Sequence, residues 1–495
     1  MPTPRGAAPS LAPGLTERNR FWIFVAALAS VSMTAIEGTI VATAMPTIVG
    51  ALGDFDLMSW VFAAYLLTQA VTIPIYGRLA DLYGRKPLLL AGISVFLAGS
   101  VLCGLARSMA ALVLFRIVQG IGAGAVMPVG RTLIGDVYHG ADRARMQGYV
   151  SGAFIGSAIF GPLAGAFLVA HWTWPLVFWI NLPFGLAAMA MLAFLYRERI
   201  ETRERRVDYL GSLLICLASG LLLFALAEAP RLAAALTLAL AGAAAASLVL
   251  FILHERRAAN PIWPTSLWRD RIVASGNIVN LALGATTMPT AAFLPAYIQG
   301  VMGDSAFVAG MALMAMSVLA GLGAVLAGGI MLRTSFRTSA TVGAVLLTAG
   351  CVMMALLDPA RGAGWAIASA SLMGFGMGMN NNTYMVSIQA AADWSQRGIA
   401  TSSIIFTRIL GQAAGAAGFG GILNAELAGR GGADLVNRML VPSLRQALAP
   451  QDIAPVMAAF DHALHTVFAI CVALALLVMA VGFLLPAGRG LRERR

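Results

Sequence analysis

The chain has 495 residues, of which 59% are hydrophobic and 11% charged, and its mean hydropathy is +0.82. A soluble domain carries roughly 25% charged residues, so there is too little charge here for a water-facing skin, and lipid must solvate much of the surface. The net charge of +11 is no nucleic-acid footprint, because the arginines sit in short loops between apolar runs and form no continuous stripe.

Residues 1–20 are rich in Pro and Ala and hold Arg5, Arg18 and Arg20. The apolar run that follows is too long for a signal-peptide core, so the first helix is expected to be retained. A spanning helix needs about 20 apolar residues. Reading between polar breaks predicts fourteen: 21–47, 58–77, 88–106, 110–136, 146–170, 175–196, 208–228, 231–253, 272–300, 306–332, 339–357, 364–391, 398–425 and 462–486. The fold class is therefore all-α and integral to the membrane.

In helix 4 the stretch Gln119-Gly120-Ile121-Gly122-Ala123-Gly124 returns in outline as Met373-Gly374-Phe375-Gly376-Met377-Gly378 in helix 12. The repeat predicts two related six-helix bundles, 21–197 and 272–486, with two linker helices (208–253) inserted between them. A tail of 1–20 and a basic tail of 487–495 complete the division. With the amino terminus placed inside, 24 basic residues fall on that side and 6 on the other, while Arg116, Arg131 and Arg408 fall within helices. The positive-inside rule then puts both termini in the cytoplasm. Cys103, Cys216, Cys351 and Cys471 each lie alone in an apolar run, so no disulfide framework or metal site is expected.

Glu37 is the only carboxylate deep inside an apolar run. A charge at the centre of a spanning helix costs ~2.5–3.5 kcal/mol, so such a residue is a functional candidate first and a structural hydrogen-bond acceptor second. Arg116 in helix 4 is equally costly to bury and is either a clamp on neighbouring helices or a partner in the same chemistry. Depth counting at 1.5 Å per residue puts the two at similar levels, which predicts that both face one cavity. Arg408 reads as structural. Gln119, Asn277, Asn280, Asn380 and Asn381 are cavity candidates or interhelical glue, and three consecutive asparagines (Asn380, Asn381, Asn382) cannot all face one way. Glycines four apart, Gly152 with Gly156 and Gly411 with Gly415, suit close helix approach.

The segment Gly77-Arg78-Leu79-Ala80-Asp81-Leu82-Tyr83-Gly84-Arg85-Lys86 is read as a tight turn between helices 2 and 3, reversed by Gly77 and Gly84. Its spacing resembles the signature loop of the major facilitator superfamily. Helix 4 (Arg116 to Gly124), helix 5 (Gly152, Gly156, Gly161-Pro162, Gly165) and helix 1 (Glu37-Gly38-Thr39 to Met45-Pro46) are similar to further motifs of that superfamily. The helix 1 stretch, Trp172-Thr173-Trp174, Asn181-Leu182-Pro183 and Pro295-Ala296-Tyr297 resemble its fourteen-helix drug:proton antiporter family, whose usual residue at position 37 is Asp. In helix 5, Ala166 stands where the antiporter motif usually has Gly.

The resemblance implies a proton-coupled efflux transporter of lipophilic or amphipathic drug-like molecules, working by alternating access in the cytoplasmic membrane. Glu37 and Arg116 would carry the coupling, Gly77, Asp81, Gly84 and Arg85 the cytoplasmic latch, and Gly161 and Pro162 a kink that seals the cavity. The partners expected are a small-molecule substrate, protons and the lipid bilayer. No nucleic acid and no cofactor are expected, the proton gradient being the energy source, and the chain would function as a monomer. No nucleophile–base set or metal cluster suggests an enzyme. An exporter or importer of one metabolite or siderophore is the alternative on the same fold. A single acidic site suits neutral, zwitterionic or monocationic cargo. Three architectural expectations follow: the linker helices lie outside both bundles and line no part of the cavity, the loop from Glu426 to Asp461 is partly helical, and Asp81 approaches Gly398–Thr401 when the cavity faces outward.

Overall fold

The computed structural model describes residues 16–138, 140–196, 198, 208–229, 231–258, 261–263, 267–391, 397–428 and 450–485. Among them there is no β-strand. The first bundle comprises α1 (Glu17–Leu52), α2 (Met58–Tyr83), α3 (Arg85–Gly104), α4 (Met109–Val137), α5 (Gly140–His171) and α6 (Asn181–Leu195), the last entered through one turn at Leu176–Trp179. The linker pair is α7 (Tyr209–Glu228) and α8 (Ala234–Glu255). The second bundle comprises α9 (Arg271–Ala296), α10 (Ala306–Arg333), α11 (Phe336–Ala355), α12 (Gly362–Ala391), α13 (Arg397–Ala428) and α14 (Pro450–Gly482).

The polar breaks that separate the apolar runs supply helix caps. Thr16, Ser108, Asp208, Asp270, Ser305 and Ser335 each accept a hydrogen bond from a backbone N–H of the first turn that follows, relieving donors that no helix can satisfy internally. Among the described residues, eleven helices are long and apolar enough to cross a membrane. The other three, α5, α12 and α13, are richer in glycine and polar residues.

The glycine repeat has a structural meaning. On α4, Gly120 and Gly124 sit against Thr68 and Thr72 of α2, while Gly122 between them meets the backbone of α3 at Gly92 and Phe96. On α12, Gly374 and Gly378 sit against Met316 and Ala320 of α10, while Gly376 meets α11 at Gly343 and Leu347. Each triplet thus lets one central helix press its backbone onto two neighbours, and the two bundles use it in the same way. Any side chain at these positions would collide with backbone or a threonine hydroxyl, so packing here requires glycine.

The bundles meet along α2–α13 and α5–α10. On the face that carries the α1–α2 turn, the Asn424 amide donates to the Asp56 carbonyl at 2.8 Å, and the rings of Phe55 and Phe460 lie edge to face at 5.9 Å. The linker helix α7 packs on α2 and α13, and α8 packs on α7. Trp60 Nε1 donates to Glu228 at 2.9 Å, Arg231 pairs with Asp56 at 2.5 Å, and Gly421 of α13 abuts the Leu226 and Ala227 carbonyls.

Several helix ends and one glycine pair differ from the sequence reading. Helix α2 continues to Tyr83, so Gly77 lies inside it and only Gly84, with φ of 91°, reverses the chain. The hydrophobicity count ended that helix at the first charge, but a helix can extend beyond the lipid into water. Helix α14 begins at Pro450, twelve residues before the predicted 462, for the same reason. Helix α9 ends in a π-helical turn at Tyr297–Val301. Gly152 and Gly156 have open space at their Cβ positions and bring no helices together, whereas Gly411 and Gly415 do press onto Leu281 and Ala285 of α9. The expected helical content of the 426–461 loop is met at its two ends; residues 429–449 lie outside the described residues, as do most of both predicted tails.

Candidate functional site

The site begins with two side chains that cannot be solvated where they sit. Glu37 on α1 is 0% exposed and Arg116 on α4 is 1% exposed. Arg116 Nη1 contacts Glu37 Oε1 at 2.5 Å. The other carboxylate oxygen accepts from Asn181 Nδ2 of α6 at 2.6 Å. One carboxylate therefore ties three helices of the first bundle to one another.

The arginine is held independently of the glutamate. Arg116 Nε donates to the Val61 carbonyl at 3.1 Å, Nη1 also donates to Gln119 Oε1 at 2.6 Å, and the guanidinium lies 4.0 Å from the centre of the Tyr65 ring. Gln119 in turn donates to Ser100 of α3 at 2.9 Å. A buried ion pair is stable only when its remaining donors and acceptors are satisfied, and this network satisfies most of them. Removing the charge from Glu37 would cancel the strongest attraction between α1 and α4 while leaving Arg116 housed by Val61, Gln119 and Tyr65.

The expectation that Glu37 and Arg116 face a cavity is corrected, because both are enclosed within the first bundle. Gln119 is likewise enclosed, at 0% exposure. Asn277 is buried against α13, donating to Ser403 and accepting from Thr407. Asn280 and Asn380 are also buried, each donating to a carbonyl one turn back. The three consecutive asparagines diverge as helix geometry requires. Asn380 packs at Gly343 of α11, Asn382 donates to the Ala324 carbonyl of α10 at 2.7 Å, and Asn381 accepts from Arg408 Nη1 at 3.5 Å. Only Asn381 of the five amide candidates remains half-exposed.

At the signature loop, Gly84 turns the chain and the first turn of α3 carries an unforeseen partner. Glu198 accepts from the backbone N–H groups of Arg85 and Lys86 at 2.7 and 2.8 Å. Lys86 Nζ donates to the Ala193 and Tyr196 carbonyls at the end of α6. An anion at a helix start and a cation at a helix end both complement the backbone dipoles, so the loop is bolted to α6. The side chain of Asp81, one half of the latch expected against Gly398–Thr401 at the start of α13, lies outside the described residues. Gly161 on α5 abuts Thr39 of α1, Pro162 is buried nearby, and the Pro162 carbonyl faces Gly310 of α10. These residues sit on the α1–α5 and α5–α10 contacts.

Asn181, Tyr65, Val61 and Ser100 were not singled out as members of the site. Asn181 left a trace in the sequence, an amide opening an otherwise apolar run. The others are common residue types in apolar helices and leave none.

Comparison with known proteins agrees with this architecture. The chain is 32% identical over 402 residues to Multidrug resistance protein 3 of Bacillus subtilis, covering 81% of this chain and 78% of that protein. It is 32% identical over 420 residues to the Multidrug transporter protein MdtP of the same organism, covering 83% and 76%. A bacterial homolog of the human lysosomal transporter Spinster, solved in an inward-facing and occupied conformation, superposes with a TM-score of 0.67 at 15% identity, over 95% of this chain and 97% of that one. The profile of the Major Facilitator Superfamily matches residues 24–416. A transporter, and not an enzyme, is what that match and these relatives describe, and this multi-pass membrane protein belongs to the Major Facilitator Superfamily.

Proposed function

We propose that the protein exports lipophilic or amphipathic drug-like compounds across the cytoplasmic membrane in exchange for protons, by alternating access between its two six-helix bundles. The observation that carries this reading is the enclosed Glu37–Arg116–Asn181 tie, which places one protonatable group among three helices of one bundle. The names of the Bacillus subtilis relatives support the drug-like cargo. With Glu37 ionised, α1, α4 and α6 are drawn together. A proton on Glu37 removes the ion-pair attraction, which is far stronger in this low-dielectric setting than in water, and lets α1 move against α4. Proton and cargo then act on the same helix set in opposite senses.

The excess of basic residues beside Gly84 supports an orientation with both termini in the cytoplasm. In that orientation the Asn424–Asp56 and Phe55–Phe460 contacts close the outer face. The protein acts as a monomer, with the proton gradient as its energy source and no cofactor. Reconstitution in liposomes with an imposed pH gradient tests the reading. Uphill movement of a fluorescent amphipathic drug should stop when a protonophore collapses the gradient, and movement indifferent to the protonophore would overturn it.

A further inference from the structure

His465 on α14 lies between two backbone carbonyls. Its Nδ1 is 2.8 Å from the Asp461 carbonyl oxygen one turn back, and its Nε2 is 2.8 Å from the Leu357 carbonyl oxygen in the turn after α11. A carbonyl oxygen only accepts, so both ring nitrogens must donate, and only the doubly protonated ring carries two N–H groups. A neutral ring would set a lone pair against one of these oxygens at hydrogen-bond distance. The Asp461 carboxylate adds a countercharge, with Oδ2 3.5 Å from Nδ1, while its Oδ1 accepts from the Tyr297 hydroxyl at 2.9 Å. The protonated ring therefore joins α14 to the α11–α12 turn, and Asp461 joins it to the end of α9.

Protons can reach this cluster. The side chains of His465 and Asp461 are 30% and 35% exposed, and with Asp358 and Arg361 they line a cavity of about 350 Å³. Asp358 accepts from the Ala360 N–H, and Arg361 lies over the Trp365 ring at 4.5 Å. The further charged or titratable groups at this end, among the described residues, are His462 on α14, Glu426 closing α13 and Asp304 after the π-helical turn. Asp56, beside Phe55, is paired with Arg231, and Arg337 of α11 lies at the opposite end against Phe483. Phe460, whose ring meets Phe55 of the first bundle, directly precedes Asp461. The histidine thus grips the same stretch of α14 that joins the two bundles.

We propose that His465 is a proton-binding site on the outer face, distinct from Glu37, and that its protonated form holds that face shut. With the proton bound, the α11–α12 turn, α14 and the end of α9 are clasped together, and Phe460 is held toward Phe55. Loss of the proton leaves one of the two carbonyls without a donor, so the ring turns away and the clasp opens. The orientation and the use of the site in a transport cycle rest on the reading above. In an exchanger that takes protons from outside, closure of the outer face has to follow proton binding, and this histidine makes it do so.

The test is a distance measurement across the outer face of the full-length protein in lipid nanodiscs, with no gradient and no cargo. Spin labels on Ala51→Cys and Ala360→Cys, both exposed and in different bundles, report the opening by pulsed electron resonance. The background carries Cys216→Ser, the other three native cysteines being buried, and Glu37→Gln, so that the deep carboxylate does not titrate. Between pH 5.5 and pH 8.5 the ratio of short to long distances should fall by about tenfold, ~1.4 kcal/mol, the scale of a hydrogen bond to a charged group. Adding His465→Gln should abolish that response and leave the long distance populated at both pH values. Adding His465→Arg, which keeps the charge and the donors, should hold the short distance at both, and guards against a glutamine variant that misfolds. Distances that ignore pH with His465 present, or the same response in either variant, would overturn the proposal. Gradient-driven efflux from liposomes beside an unresponsive outer face would remove this site and leave the exporter standing. A gate that depends on His465 in a protein that moves no cargo would do the reverse.

Discussion

Arg116 contacts Glu37 at 2.5 Å, and both side chains are sealed from solvent inside the first bundle. Arg116 also donates to the Val61 carbonyl and to Gln119, and Glu37 also accepts from Asn181. Glu37→Gln should leave the protein folded and inserted, because Arg116 keeps Val61, Gln119 and Tyr65. Uphill efflux should fall by at least about tenfold, the scale of a charge-assisted hydrogen bond worth ~1.5–3 kcal/mol, while downhill exchange persists. Glu37→Asp should retain coupling. Wild-type uphill rates with unchanged pH dependence in Glu37→Gln would make this carboxylate purely structural.

Removing the other partner should be worse for folding. Arg116→Met strands a buried carboxylate, and breaking a buried pair in this way costs about 3–5 kcal/mol. Thermal unfolding in detergent should show a far larger loss for Arg116→Met than for Glu37→Gln. The double variant Glu37→Gln with Arg116→Met should recover much of it, since no buried charge remains.

Asn181 supplies the second bond to Glu37, at 2.6 Å. Asn181→Leu leaves that oxygen without a donor, at a cost of ~1–3 kcal/mol, and loosens α6 from α1. Lower thermal stability together with a displaced pH profile of transport is the expected pattern. A stability loss with an unmoved profile would confine Asn181 to packing.

The glycines separate into two classes with opposite expectations. A side chain at Gly411 would run into the Leu281 backbone, whereas one at Gly152 meets nothing within 4 Å. Gly411→Val should destabilise by ~1–3 kcal/mol or more, as overpacking does. Gly152→Val should be tolerated as a folded protein. Comparing purified yields and melting temperatures of the two variants checks this directly.

The face around Asp56 should have to open in each cycle. The exposed Arg231–Asp56 pair contributes only ~0–1 kcal/mol, so Arg231→Gln should barely change stability. A covalent link is a different matter. Oxidising the Asp56→Cys, Asn424→Cys variant should halt transport, and reductant should restore it. Full activity with the bridge formed would mean that α13 and the α1–α2 turn never separate.

The one-dimensional pattern determined the number of spanning helices and the relation between the two bundles. Both depend on the length of apolar runs and the caps between them, and those are local properties. The pairing of Glu37 with Arg116 was half legible, because depth along a helix follows from residue count. Its rotation did not follow: burial on one side of α1 and not another is set by which neighbour presents Asn181, 144 residues away. The same holds for Asn380, Asn381 and Asn382, whose 100° separation was foreseeable while their assignment to α11, Arg408 and α10 was not. Gly152 and Gly411 share a spacing motif yet differ in environment, because a motif permits close approach and only a second helix makes it. What the tertiary structure alone decided is where the deep carboxylate ends: enclosed by the arginine of a second helix and tied through Asn181 to a third.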